Sequence, residues 1–297
     1  MDKPDQLLIT RRDVIKSMGG LALGALIQPT SIFAEPSKNY LRFAVIGDFG
    51  VGDERQYNIA KQMITSHKQK PFDFVLCAGD NIYPTGHPRY YDAHFERPYA
   101  KLLQDQVLFY AILGNHDVIE GRREECSYPH FNMSGKNYYA VKQGDGLAEF
   151  FMLDGEDFYT APQMAWLEGA FKASVAKWKI VIIHYPLYSS GRTHGSTLPL
   201  RRLLESLFVA YKVNVVIAGH DHIYERTFPQ QGIQHFVSGA GGQIRLGDTD
   251  LRSPFRAVSY DTGCHYMQLE ITNKQITFQA INEIGTQIDS GTIAPRA

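Results

Sequence analysis

Cysteine is scarce in this chain: there are 3 in 297 residues, Cys77, Cys126 and Cys264. None forms a C-x-x-C pair, which argues against a cysteine zinc site. Cys77 sits inside an apolar run and reads as a small buried residue. Cys126 and Cys264 are left as a pair able to bond in an oxidising compartment. Net charge is also lacking, with 30 basic against 31 acidic residues, so no broad field draws in nucleic acid or an anionic membrane. The apolar stretch at residues 18–27 is too short to span a bilayer. No glycine-rich phosphate loop of the G-x-x-x-x-G-K type is present, and no G-x-S-x-G elbow. Kinase-type and serine-hydrolase chemistry are therefore disfavoured. Repeats, low-complexity runs and interdomain linkers are absent too, which suits one large domain.

What is present begins with Thr10-Arg11-Arg12-Asp13-Val14-Ile15-Lys16, an arginine pair ahead of the apolar stretch, with a small residue at Ala34. The layout resembles a bacterial twin-arginine export signal. It implies a signal over residues 1–34, a functional domain over 35–297 and a passage through the twin-arginine export machinery. The expected location is periplasmic or secreted, with no stable membrane association after signal removal.

Past that segment, buried-looking strands alternate with punctuation. Residues 41–46 read as a strand ending at Gly47-Asp48-Phe49-Gly50, and Tyr57, Ala60, Met63 and Ile64 then recur at helical spacing. Residues 74–78 form a second strand, ending at Gly79-Asp80-Asn81-Ile82-Tyr83, and residues 107–113 a third, ending at Gly114-Asn115-His116-Asp117. The stretches 84–98 and 118–136 read as loops. Residues 138–141 and 149–153 pair across a hairpin signal, Gly144-Asp145-Gly146. Thr160 and Gln163 match a capping box before a helix whose face is Met164, Leu167, Phe171 and Val175. Residues 179–183 lead to His184, Pro199 opens a helix with Leu200, Leu204 and Phe208 on one face, and residues 213–218 lead to Gly219-His220-Asp221-His222. From 266 to 293 apolar and polar residues alternate around Asn273 and Gly285, the pattern of antiparallel strands. The order predicts an α/β domain with two sheets, its candidate ligands following successive strand ends, where open α/β sheets place ligands.

Singly, these candidates are ambiguous. Asp48 and Asp80 follow glycines and read equally as turn residues, Asn115 as a turn or cap, His184 as a satisfied core histidine. His220 and His222 are more telling, because two imidazoles one residue apart on extended chain reach adjacent metal sites. Together, the strand ends deliver Asp, Asn, His and Tyr in a way that turn chemistry does not require.

The set resembles the binuclear metallophosphoesterases, also called calcineurin-like, and within them the purple acid phosphatases. G-D-x-G is met by Gly47 to Gly50, G-D-x-x-Y by Gly79 to Tyr83, G-N-H-D by Gly114 to Asp117, V-x-x-H by Val181 to His184, and G-H-x-H by Gly219 to His222, in the family's order. Most other members of the superfamily use D-x-H in the first motif; here Gly50 stands in the histidine's place and Tyr83 replaces the lost ligand. The short length and the sequence around Gly79 to Gly86 resemble the small tartrate-resistant acid phosphatases.

The resemblance implies a four-layer α/β/β/α sandwich of two mixed sheets flanked by helices. It implies an iron site of Asp48, Asp80, Tyr83 and His222, and a second site of Asp80, Asn115, His184 and His220. A phenolate suits Fe(III), and the neutral side suits a divalent ion: Fe, Zn or Mn. The implied activity is that of an acid phosphatase, hydrolysing small-molecule phosphomonoesters by attack of a metal-bound hydroxide. His116 is the expected group for stabilising the phosphoryl group or protonating the leaving group. His194 resembles a second active-site histidine, although its spacing from His184 differs by one and Thr193 stands where the family carries an acid. Asp117 and Asp221 are expected to orient their neighbours, and the run from Ser238 to Gly242 resembles a family loop beside the site. The connection after Asp154 is too short for the repressive loop of mammalian-type members, so no activation by proteolysis is expected. Two alternatives stand beside this reading: a phosphodiesterase of the same fold, and a non-hydrolytic iron protein that binds phosphate or does redox chemistry.

Overall fold

The computed structural model describes residues 39–158 and 160–296; the export signal expected over residues 1–34 lies outside them. In chain order the elements are β1 (Tyr40–Ile46), α1 (Glu54–Gln69), β2 (Phe74–Cys77), α2 (Ala100–Gln104), β3 (Leu108–Ala111), α3 (Asp117–Glu120) and α4 (Arg122–Ser127). Then follow β4 (Tyr139–Gln143), β5 (Ala148–Met152), α5 (Ala161–Ala173), β6 (Trp178–Ile182), α6 (Leu198–Ala210) and β7 (Val215–Ala218). The chain closes with β8 (Tyr224–Thr227), β9 (Gln234–Ser238), β10 (Arg256–Tyr260), β11 (His265–Thr272), β12 (Ile276–Asn282) and β13 (Gln287–Ile293). Among the described residues no helix is long and apolar enough to cross a membrane.

The strands form two mixed sheets. The first runs β13-β12-β11-β1-β2-β3, the second β10-β8-β9-β7-β6-β5-β4. In the second sheet the alternation of side chains sorts two cores. Phe150, Met152, Ile180, Ile182, Val215 and Ile217 belong to the core shared with the first sheet. Phe151, Leu153, Val181, Ile183 and Val216 face the other way, against Leu167 and Phe171 of α5 and Leu200, Leu204 and Phe208 of α6. Both faces are covered, which is why these strands read as continuous apolar runs. Phe43 and Phe74 stack at 5.0 Å between ring centroids, and the edge of Phe150 meets both, at 5.2 and 5.3 Å. Truncating such an inter-sheet ring costs about 3–5 kcal/mol. On the far side of the first sheet α1 buries Ile59, Ala60 and Met63. The layering is α/β/β/α, as the resemblance implied.

Several local expectations are corrected. The buried face of α1 runs through Gln56 rather than Tyr57, which is exposed. Gln56 is stabilised inside by accepting from Gly52 N (2.7 Å) and donating to His94 O (2.6 Å). Residues 118–136, expected as loop, carry most of α3 and all of α4; their charge and brevity leave no apolar period to detect. Residues 84–98 hold a short 3₁₀ turn and a π turn. No capping box forms at Thr160, whose side chain makes no cap bond. Gln163 instead donates to Asp154 O (3.0 Å) and accepts from Asp154 N (2.9 Å). Val175 lies beyond the end of α5 and is exposed. The thiols of Cys126 and Cys264 do not pair: all three cysteines are free and buried.

Candidate metal centre

At three of the strand ends a glycine is followed by a residue in the left-handed region, Asp48 (φ 53°), Asp80 (φ 50°) and His220 (φ 68°). This backbone is uncommon outside glycine and costs energy, so it persists only where its surroundings over-determine it. Here it turns each side chain from its strand toward one centre. Asp48 follows β1, Asp80 and Tyr83 follow β2, Asn115 follows β3, His184 follows β6, and His220 and His222 lie between β7 and β8. Close approach makes Gly50 and Gly114 necessary. A Cβ on Gly50 would lie 1.7 Å from Asn81 O, and one on Gly114 would lie 2.2 Å from Asp80 Oδ1. The first contact is the physical reason that position 50 cannot carry the histidine of the common first motif.

The donors gather into two groups that share Asp80. Tyr83 OH donates to Asp80 Oδ2 at 2.8 Å and lies 3.4 Å from Asp48 Oδ1 and 3.3 Å from His222 Nε2. His222 Nε2 is 3.5 Å from Asp48 Oδ1. On the other side, Asn115 Oδ1 lies 3.1 Å from His184 Nε2 and 3.0 Å from His220 Nδ1, and His184 Nε2 is 3.5 Å from Asp80 Oδ1. Donors each about 2.1 Å from a shared cation stand about 3.0–3.4 Å apart, so the spacing suits metal coordination. Ligand atoms of Asp48, Asp80 and His184 all fall within 4.8 Å of one another. His184 is set in the right tautomer: its Nδ1–H donates to Ala78 O at 2.8 Å, leaving the Nε2 lone pair toward the centre.

Electrostatics point the same way. Asp48 and Asp80 are buried, and among the described residues neither meets a lysine or arginine within salt-bridge distance. Burial, with Asp80 beside it, pushes the Asp48 carboxyl well above the ordinary range. Burial and the same two carboxylates push the Tyr83 phenol far up. His220 and His222 are driven down to about 2 and about 3, chiefly by burial, so both rings are neutral and able to donate lone pairs. Two buried carboxylates facing neutral imidazoles lack positive charge, and a cation supplies it.

Behind these donors lie two supporting networks. Asp117, wholly buried, accepts from Gly114 N (2.8 Å), Asn81 N (3.1 Å), Asn81 Nδ2 (3.0 Å) and Ile82 N (3.0 Å), tying together the loops that carry Asp80, Tyr83 and Asn115. Asn81 Nδ2 also donates to buried Glu125. Asp221 accepts from Ser189 Oγ and from Gly195 N (3.1 Å), while Glu225 accepts from Ser190 N (2.6 Å) and Oγ (2.8 Å). These bonds strap down the loop that presents His194.

His116 flanks the site, its Nδ1–H donating to Pro84 O at 2.8 Å, and its ring lies 4.6 Å from that of Tyr83. His194 is exposed and its ring lies tilted against that of His220, with centroids 4.2 Å apart. All the sequence-predicted site residues therefore converge. The cleft above them has a volume of about 550 Å³ and is walled by Tyr83, Pro84, His94, His116, His222 and Arg245, among others. The loops 84–98 and 243–257 shape this mouth as expected, but 118–136 does not; Val51, Asp53 and Arg55 take its place. Arg245 escaped the sequence reading, because a lone basic residue in a loop carries no signal that separates it from a surface arginine.

The sequence pattern described as Calcineurin-like phosphoesterase matches residues 41–224. Purple acid phosphatase 3 of Arabidopsis thaliana is 27% identical over 276 residues, spanning 82% of this chain and 75% of that protein. Tartrate-resistant acid phosphatase type 5 of Homo sapiens is 25% identical over 321 residues, spanning 93% and 97%. Among solved structures, GAP50, the anchor in the inner membrane complex of Plasmodium, superposes with a TM-score of 0.77 at 20% identity, covering 87% of this chain and 90% of that one. That likeness concerns the fold alone.

Proposed function

Because the chain belongs to the calcineurin-like phosphoesterases, a family of metal-dependent hydrolases, we propose that it is a phosphatase of the purple acid type acting on small phosphomonoesters. The observation that carries this reading is the convergence of Asp48, Tyr83 and His222 on one side of Asp80, and of Asn115, His184 and His220 on the other. The relatives named above as purple and tartrate-resistant acid phosphatases support it.

The first group would hold Fe(III) and the second a divalent Fe, Zn or Mn. The phenol of Tyr83, held protonated by burial and by its two carboxylate neighbours, ionises only against a strongly charged cation, and a hard phenolate oxygen suits the trivalent ion. Bound cations supply neutralisation of the phosphoryl oxygens and acidify water enough for it to act as nucleophile. The protein residues do the rest. Asp80 fixes the relative position of the two groups. His116, oriented through Nδ1, keeps Nε2 free, and as the imidazolium it would carry there the proton for the leaving-group oxygen. His194, whose ring lies 4.2 Å from that of His220, would help in the same task. Export by the twin-arginine route and a periplasmic or secreted location complete the proposal; both rest on the N-terminal sequence.

The test is metal content together with the visible spectrum and the hydrolysis rates of a monoester and a diester. A broad visible band with iron present, lost in Tyr83→Phe, and a preference for the monoester are the expected results. A colourless, iron-free protein that favours diesters would overturn the purple acid reading and leave a phosphodiesterase. Cell fractionation, with and without Arg11 and Arg12, checks export.

A further inference from the structure

Arg245 is fixed to both sides of the site. Gly242 N and Gln243 N, just before it, donate to Asp48 O at 3.1 and 3.0 Å, and Arg245 N donates to His222 O at 3.2 Å. Its side chain lines the cleft that Tyr83, His116 and His222 also line. Arg245 Nη1 is buried and has no hydrogen-bond partner among the described residues. That end of the guanidinium is packed against the chain, and among the described residues no carboxylate pairs with the group, so its charge is left for an acceptor in the cleft. Arg55, in the same cleft, offers a contrast: its Nε and Nη2 are closed on Asp53 Oδ2 at 2.9 and 2.6 Å.

We propose that Arg245 is the oxyanion-binding residue of this cleft and takes two terminal oxygens of the phosphoryl group, in the ester and in the released inorganic phosphate. The inference rests on the phosphoester-hydrolase reading of the site. A guanidinium presents parallel N–H donors that match two oxygens of one phosphate, which an ammonium does not. A monoester offers three terminal oxygens and carries up to two negative charges. A diester offers two oxygens and a single charge. With one terminal oxygen directed to the metal side, the monoester retains a full pair for the guanidinium and the diester only one oxygen. Arg245 thus becomes a specificity-determining residue favouring monoesters.

The experiment uses the full, metal-loaded chain and its R245Q and R245K variants. Binding of inorganic phosphate is measured by calorimetry, and kcat and KM are measured on a monoester and a diester. In R245Q, phosphate binding weakens and monoester KM rises by about tenfold to a hundredfold, the loss of a charge-assisted pair. Monoester kcat changes far less, because substrate and transition state lose the contact alike. Diester KM moves less than monoester KM, Tm is unchanged, and R245K recovers only part of the loss. Phosphate affinity and monoester KM within about twofold of wild type in R245Q, below the effect of one hydrogen bond, overturn the proposal. So does a fall in kcat with both of those unchanged. If R245Q does not fold, the phosphate affinity of R245K decides: a clear weakening upholds the proposal and wild-type affinity overturns it. A wild-type protein that binds phosphate but turns over no ester removes the hydrolase reading, yet its comparison with R245Q still decides the role of Arg245. A wild-type protein that does not bind phosphate overturns both.

Discussion

Asp117→Asn isolates the contribution of the wall behind the metal donors. The carboxylate takes three donors on Oδ2, from Gly114 N, Asn81 N and Asn81 Nδ2, and one on Oδ1, from Ile82 N. An amide has only one oxygen. In its better orientation the oxygen keeps the three donors and its NH₂ confronts Ile82 N, which is left unpaired in a buried place. One stranded donor costs about 1–3 kcal/mol, and the remaining bonds lose their charge assistance. Opposing this, the amide removes the repulsion from Asp80 which, after burial, pushes the Asp117 carboxyl up to about 7. The net expectation is a loss of about 2–3 kcal/mol, or a fall in Tm of about 4–6 °C for a chain of this size. Because Asp117 joins the Asp80–Tyr83 loop to the Asn115 loop, metal affinity should fall about tenfold to a hundredfold as well. Scanning calorimetry of the chelated protein reads the first effect, and calorimetric titration with Zn²⁺ or Mn²⁺ reads the second. An Asp117→Asn protein with wild-type Tm and wild-type metal affinity would refute the reasoning, since the bonds would then contribute nothing.

Two further predictions follow from the same geometry. Gly50→Ala places a methyl group 1.7 Å from Asn81 O; the backbone must shift, and the variant should lose at least about 3 kcal/mol and most of its metal binding, as read by denaturant unfolding and metal titration. In the metal-free protein, stability should depend on pH in an unusual way. Burial raises the carboxyls of Asp48, Glu125 and Asp221, and brings Asp117 and Glu225 to about 7. The stability these contribute is present below about pH 4 and lost as pH rises through their folded values. Buried His220, His222, His235 and His265 are lowered to about 2 or 3, so they stabilise above about pH 6.5 and lose this as pH falls. Above about pH 6.5 the histidine contribution levels off and the raised carboxyls dominate, so Tm of the chelated protein should fall from about pH 6.5 to 8. Added metal should flatten that fall by compensating Asp48; a Tm that instead climbs across this range without metal would contradict the assignment.

The proposed ligands were legible because each is a chemistry-bearing type set just past a buried strand, usually behind a glycine that allows the turn. The two-sheet architecture was legible because β5, β6 and β7, covered on both faces, leave continuous apolar runs. Elements that depend on polar contacts were not. Gln56 is inside only because His94 and Gly52 bond it, and no spacing rule predicts that. The short helices α3 and α4 are held in part by Asp117 and Glu125, carboxylates whose partners lie in another loop. Arg245 was illegible for a related reason: its role depends on the backbone bonds that fix its loop, and these involve carbonyls of Asp48 and His222 rather than any side-chain pattern.

The donor chemistry is divided between the sheets. Asp48, Asp80, Tyr83 and Asn115, the oxygen donors, follow β1, β2 and β3 of the first sheet; His184, His220 and His222, the nitrogen donors, follow β6 and β7 of the second. Neither half alone holds a complete set for either of the proposed cations. During synthesis the oxygen half emerges first and would wait for the nitrogen half, so tight loading would follow docking of the sandwich. On that reading a cation is a seal on a finished fold rather than a nucleus for it, and a chain that captures its metals thereby reports that its two halves are joined.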